Sequence, residues 1–170
     1  MKYVALLRGI GPSNPNMHQK KLEGVLEELG FTNVKAIISS GNVVFGSPSK
    51  DIAKLEEKIE KAWPIKLGFN SMTIVRSSDQ LKALVAKKPY GATEHSRENY
   101  LLVTFFKQPP KSIKGNYHDV LGVNALCSVI DTTASKTPDF MAKTDRQFGK
   151  DQITSRTWKT IERILKKMES

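Results

Sequence analysis

The chain has 170 residues, 39% of them apolar and 26% charged, the balance of a globular protein long enough to bury a core. No apolar run approaches the roughly 20 residues that span a bilayer, and the single cysteine, Cys127, excludes an internal disulfide and a cysteine-built zinc site. The formal net charge of +10 is the outlying property, and it is diffuse: 11 basic and 7 acidic residues lie in 1–76, 16 and 10 in 77–170.

Residues 2–8 read as a buried strand that begins at once. The apolar stretch is too short for a signal peptide and no small-residue cleavage site follows it, which with the lone thiol predicts a cytoplasmic protein. Leu22, Val25, Leu26 and Leu29 form an i, i+3, i+4, i+7 stripe that Gly30 ends as a C′ residue. Residues 34–38 and 42–45 are β-rich runs around a Ser40-Gly41 hairpin turn. Ser47-Pro48 reads as a helix start, with a serine cap and proline in the first position. Ile52, Leu55, Ile59 and Ala62-Trp63 line one face of that helix, Pro64 stops it, and residues 72–75 make a closing strand. This βαββαβ order is the ferredoxin-like plan. A helical crossover makes the second strand parallel to the first, so the Ser40-Gly41 turn falls at the same sheet edge as Arg8-Gly9.

The second half is less regular. Residues 79–86 read as a helix with Leu81, Leu84 and Val85 inward, followed by a polar segment over 89–99 and a strand over 100–106. Gln108-Pro109-Pro110-Lys111 is a loop, and residues 126–130 are another strand. Residues 132–152 are polar, with only Phe140, Met141 and Phe148 as anchors, and a final helix is predicted over 155–168. The expected fold is α+β, two ferredoxin-like subdomains over 1–76 and 77–170, the second less regular, with no exact sequence repeat.

Three islands could meet an anion. Arg8 directly after an apolar strand needs partners, because a guanidinium is costly to desolvate alone. Ser40, Gly41 and Asn42 supply turn chemistry beside it, and nearby backbone N–H groups add to the set. Thr154, Ser155 and Arg156 stand at the predicted start of the last helix, with Thr154 or Ser155 as the cap. On that helix Trp158, Ile161, Ile164, Leu165 and Met168 form one face at about 100° per residue, with Arg156, Lys159, Arg163 and Lys167 opposite.

No reaction is indicated. His18, His95 and His118 lack metal-ligand spacing, and neither a Gly-x-Ser-x-Gly elbow nor a phosphate-cradling glycine loop is present. After Gly9-Ile10-Gly11 the third glycine of a dinucleotide loop is replaced by Asn14. The Glu27-Glu28 and Glu56-Glu57 pairs read as solvated helix faces, and Tyr100, Phe105 and Phe106 as core. Neither a cofactor nor a metal is expected.

Ala5-Leu6-Leu7-Arg8-Gly9-Ile10, Leu29-Gly30-Phe31-Thr32-Asn33-Val34, Ser40-Gly41-Asn42-Val43-Val44-Phe45 and Thr154-Ser155-Arg156-Thr157-Trp158-Lys159-Thr160 resemble the bacterial domain-of-unknown-function family 1697 over nearly the whole chain. The resemblance implies two ferredoxin-like subdomains and no established activity. The chain departs from the family where Gly11-Pro12-Ser13 replaces an asparagine and glycine-rich loop, and where Arg156-Thr157-Trp158 stands for Arg-Asn-Trp. The charge and the missing catalytic set together predict a non-catalytic binder of an anionic partner, nucleic acid being the favoured class. An enzyme or sensor for a small phosphorylated or carboxylated ligand, and a protein–protein adaptor, are the alternatives.

Overall fold

Alternation of buried side chains on both faces of a short apolar run sets the first strand, β1 (Lys2–Leu7). Tyr3, Ala5 and Leu7 join one core, while Val4 and Leu6 are equally buried on the other face. The computed structural model describes residues 1–9, 13–38, 41–133 and 137–170, the side chains of residues 137 and 138 excepted. It divides into two compact units, one of residues 1–78 with 164–170 and the other of residues 79–163.

In the first unit β1 is followed by α1 (Gln19–Glu28), β2 (Thr32–Ala36), β3 (Asn42–Gly46), α2 (Ile52–Leu67) and β4 (Thr73–Ser77). The sheet order is β2-β3-β1-β4 with every neighbour antiparallel, the order the βαββαβ plan requires. Gly30 ends α1 at φ 91°: its N–H donates to Glu27 O and that of Phe31 to Leu26 O, the double bond of a left-handed C-terminal cap. Leu22, Val25 and Leu26 of α1 and Leu55, Ile59 and Trp63 of α2 bury against Tyr3, Ala5, Phe45 and Val75.

Two predicted boundaries of α2 are corrected. Its cap is Asp51, whose carboxylate accepts the N–H of Lys54 at 3.1 Å, whereas the Ser47 hydroxyl accepts the N–H of Ser49 in a local turn. Pro64 lies inside the helix; Gly68, at φ 75°, is where it ends. Proline removes one N–H, and the rest of the last turn closes through Gly68 N–H to Trp63 O.

The carboxylates of these helices are not all solvated. Glu56 is 6% exposed; its Oε2 accepts the N–H of Val75 at 2.9 Å and lies 3.7 Å from Nη1 of Arg76, itself 3% exposed. Glu60 accepts the N–H of Thr73, and Glu23 of α1 accepts the N–H of Ala36. Thus α1 and α2 satisfy outward backbone donors on β2 and β4, the two edge strands.

The second unit begins with α3, which runs Ser78–Ala86 from the unit boundary. It continues with β5 (Asn99–Phe106), β6 (Asn116–His118), β7 (Ala125–Asp131), α4 (Thr137–Phe148) and β8 (Ile153–Thr157). Helix α5 (Trp158–Glu169) follows β8, and its residues from 164 onward belong to the first unit. The sheet order β6-β7-β5-β8 repeats that of the first sheet strand for strand, although no helix stands between β5 and β6. The protein is therefore α+β, with two four-stranded antiparallel sheets and five helices among the described residues, the second half the less regular. No helix among the described residues is long and apolar enough to cross a membrane.

Candidate functional site

The Arg8 corner is built where β1 leaves the sheet. Leu7 N–H donates to Gly41 O at 2.9 Å, which brings Gly41 beside the end of β1, as the crossover argument predicts. Gly41 has φ 76°, and a Cβ there would stand 3.0 Å from Leu7 Cβ, so the approach of the two chains requires glycine. Asn42 is wholly buried and its Nδ2 donates to Ile37 O at 3.2 Å. Ser40 lies outside the described residues. Arg8 is half-buried, and its backbone is held on both sides: its N–H donates to Ser71 Oγ and Met72 O, and Ser71 Oγ donates to its carbonyl at 2.6 Å.

That hold extends into the core. The indole Nε1–H of Trp63 donates to Thr73 Oγ1 at 3.0 Å, and the Thr73 hydroxyl donates to Ser71 O at 3.2 Å. A chain of hydrogen bonds thus runs from a fully buried indole on α2 to the backbone of Arg8.

The third island is placed differently from expectation. Thr154, Ser155 and Arg156 lie on β8, paired with Phe105, Thr104 and Val103, and not at a helix start. The cap of α5 is Thr157, whose Oγ1 accepts the N–H of Thr160 at 3.2 Å. A Thr-Ser pair before an amphipathic stripe fits a cap and an edge strand equally well, and pairing with β5 decides for the strand. Thr154 is buried, and the Ser155 hydroxyl is hydrogen-bonded to that of Thr104 at 2.8 Å. Arg156 is 9% exposed; its Nη1 donates to Thr154 Oγ1 at 2.7 Å and to Ser155 O at 2.8 Å.

Arg156 has a counterpart in the first unit. Arg76 faces Val4 across β4 and β1, as Arg156 faces Val103 across β8 and β5. In both, Nη1 donates to the carbonyl of the preceding residue at 2.8 Å. The halves share a buried arginine at one register of the last strand, a likeness that Thr-Ile-Val-Arg-Ser and Ile-Thr-Ser-Arg-Thr conceal in sequence.

The structure also assembles a cleft that sequence reasoning missed. It has a volume of about 420 Å³ in the second unit and is lined by Tyr90, His95, Trp158, Lys159 and Glu162 among others. Tyr90 meets Trp158 edge-on, with ring centroids 5.1 Å apart. His95 is stacked at a tilt against Tyr100, and its Nδ1 accepts the N–H of Leu101 at 3.1 Å, so the neutral ring carries its proton on Nε2. Burial and the Lys159 ammonium push the His95 pKa below the ordinary histidine value, with Glu162 pulling the other way. The one usable signal was the long polar segment from Lys87 to Glu98, since a loop of that length inside a compact domain commonly carries function. Behind the cleft, burial pushes the Cys127 thiol up to about 11, which makes it an inert core group at neutral pH.

A second cleft, of about 400 Å³ in the first unit, is lined by Lys2, Lys35 and Lys167 together with Val44, Phe45 and Met168. The α5 face is as expected from Lys159 onward: Ile161, Ile164, Leu165 and Met168 are buried, while Lys159, Arg163, Lys166 and Lys167 are exposed. Arg156 leaves the expected stripe because it is not on the helix.

Two α+β units of one strand order, each with an arginine folded back on its last strand, define a duplicated sheet-and-helix protein. The family described as "Protein of unknown function (DUF1697)" matches residues 1–118, and the chain belongs to that family. Among solved structures, the conserved bacterial protein SP0830 from Streptococcus pneumoniae is similar in fold, with a TM-score of 0.74 over 98% of each chain at 21% identity. No curated protein matches the sequence.

Proposed function

We propose that the protein is a non-catalytic binder of an anionic partner, with nucleic acid as its class. The observation that carries this reading is the exposed side of α5, where Lys159, Arg163, Lys166 and Lys167 stand against only Glu162 and Glu169. Spacings of three and four residues place these cations about 5–6 Å apart along one helix face, close enough to follow a phosphate backbone. Lys2 and Lys35, which line one cleft with Lys167, add charge of the same sign. Affinity for short single-stranded DNA and RNA, measured against salt, should fall with a slope of about −0.7 per phosphate contacted. Charge reversal at Arg163→Glu and Lys167→Glu should flatten that slope. Binding that is absent at low salt, or that ignores salt, overturns the reading.

A second reading, a small phosphorylated or carboxylated ligand at the Arg8 corner, is favoured by a half-buried arginine whose backbone is fixed beside a close-approach glycine. A metabolite that raises the melting temperature of the wild-type protein and leaves Arg8→Ala unmoved would support it. Equal shifts in both proteins would dismiss that corner.

A further inference from the structure

Beside Lys159, which it shares with the basic face of α5, the cleft of the second unit holds Trp158, His95 and Glu162, which that face does not require. Its volume of about 420 Å³ falls in the range of sites that enclose a small ligand. Trp158 is half-buried on its lining, backed edge-on by Tyr90, and an indole presented in this way is a stacking platform for a planar base. Lys159 and Glu162 sit three residues apart on α5 and both act on His95, so cation, carboxylate and imidazole converge on one place. Neither Lys159 nor Glu162 takes part in an ion pair among the described residues, which leaves both charges available to a ligand. The Nδ1 of His95 is occupied by the Leu101 N–H, so Nε2–H is the donor the ring has left to offer.

Of the two carboxylates on the lining, Glu94 and Glu162, the second is the one that acts on His95, and the base that suits a carboxylate acceptor near an N–H donor is guanine. Its Watson–Crick edge presents two adjacent N–H groups, from N1 and the exocyclic amine, next to the O6 acceptor. Adenine pairs its amine with an acceptor nitrogen that a carboxylate would repel. Cytosine offers an amine alone beside two acceptors. A carboxylate accepts both guanine N–H groups at once, a bidentate pairing that carries both strength and selectivity.

We propose that this cleft is a guanine pocket: the base stacks on Trp158, Glu162 accepts its N1–H and amine, His95 Nε2–H donates to O6, and Lys159 meets the attached phosphate. The inference rests on the nucleic-acid reading for one source of the base, a strand lying on α5; a free guanine nucleotide is the other source. Nothing covalent is involved.

Trp63, fully buried in the first unit, provides a constant background of fluorescence, so a ligand in the cleft reports through Trp158. Guanosine 5′-monophosphate titrated into the whole protein should quench that emission to saturation. Adenosine 5′-monophosphate should bind at least about tenfold more weakly, the cost of one lost bidentate pairing, and inorganic phosphate should leave the emission unchanged. The response should vanish in Trp158→Phe and weaken at least about tenfold in Glu162→Gln, an exposed substitution that leaves the fold intact. No saturable response at millimolar nucleotide, equal responses to both nucleotides and phosphate, or an unchanged Glu162→Gln would each overturn the pocket. Anisotropy of labelled guanine-rich and adenine-rich oligomers separates the two proposals. Oligomers that bind with salt dependence while the mononucleotide gives no response remove the pocket and retain the α5 reading. A mononucleotide response without oligomer binding removes the α5 reading and leaves a nucleotide site.

Discussion

Glu56→Ala is expected to destabilise the first unit by about 3–5 kcal/mol, the cost of removing one partner from a buried ion pair. The substitution acts twice. It takes the carboxylate away from Arg76, which stays 3% exposed with its Nη1 bonded to Val75 O, and it strips the acceptor from the Val75 N–H. An orphaned backbone donor alone costs about 1–3 kcal/mol. Replacing both partners, as in Glu56→Ala with Arg76→Met, should recover part of the loss, because the buried guanidinium that loses this carboxylate is removed with it. Urea unfolding of the two single variants and the double variant forms the cycle that checks this. Strict additivity, or a loss below about 1 kcal/mol for Glu56→Ala, would show that the carboxylate is solvated after all.

Trp63→Ala should cost about 3–5 kcal/mol through the cavity left by a wholly buried indole, which packs on Phe69 at 5.8 Å between ring centroids. Trp63→Phe isolates the second contribution. It keeps most of the packing and removes only the Nε1–H bond to Thr73 Oγ1, so its stability loss should be nearer 1 kcal/mol. The interest of the milder variant is local. Thr73 donates to Ser71 O, and Ser71 Oγ holds the Arg8 carbonyl, so a loosened Thr73 should raise amide exchange at Arg8 before it affects Leu26 on α1. Exchange that rises equally at both sites would mean the hydrogen-bond chain does not position the corner.

The first unit was legible because each of its elements carries its own signal. Gly30 after the Leu22–Leu29 stripe marks the end of one helical crossover and the glycine turn before Asn42 marks a hairpin, and that topology alone brings Gly41 to the end of β1 beside Arg8. Burial of Glu56 was not legible: two adjacent glutamates on a helix look solvated until the edge strand that needs one of them is in place. Helix α4 was hidden for a different reason. Its inward position between Phe140 and Phe148 is Thr144, a polar residue that is buried because its hydroxyl donates to Phe140 O at 2.8 Å. The apolar period is broken there in sequence but not in space. Strand β8 reads in sequence as a helix start because Thr-Ser serves caps and strands alike. Tyr90, His95 and Trp158 share a cleft only after β5 is paired with β8, and no local pattern joins residues so far apart in the chain.

The carboxylates along β2 and β4 also decide how a partner can approach the first unit. Glu23, Glu56 and Glu60 occupy backbone donors that an incoming extended peptide would need in order to join the sheet at either end. Strand addition, whether by a ligand or by a second copy of the chain, must first displace a helix carboxylate from the strand it serves. The same arrangement guards against edge-to-edge aggregation without prolines or bulges on β4. A partner of this unit would therefore have to be met by its side chains.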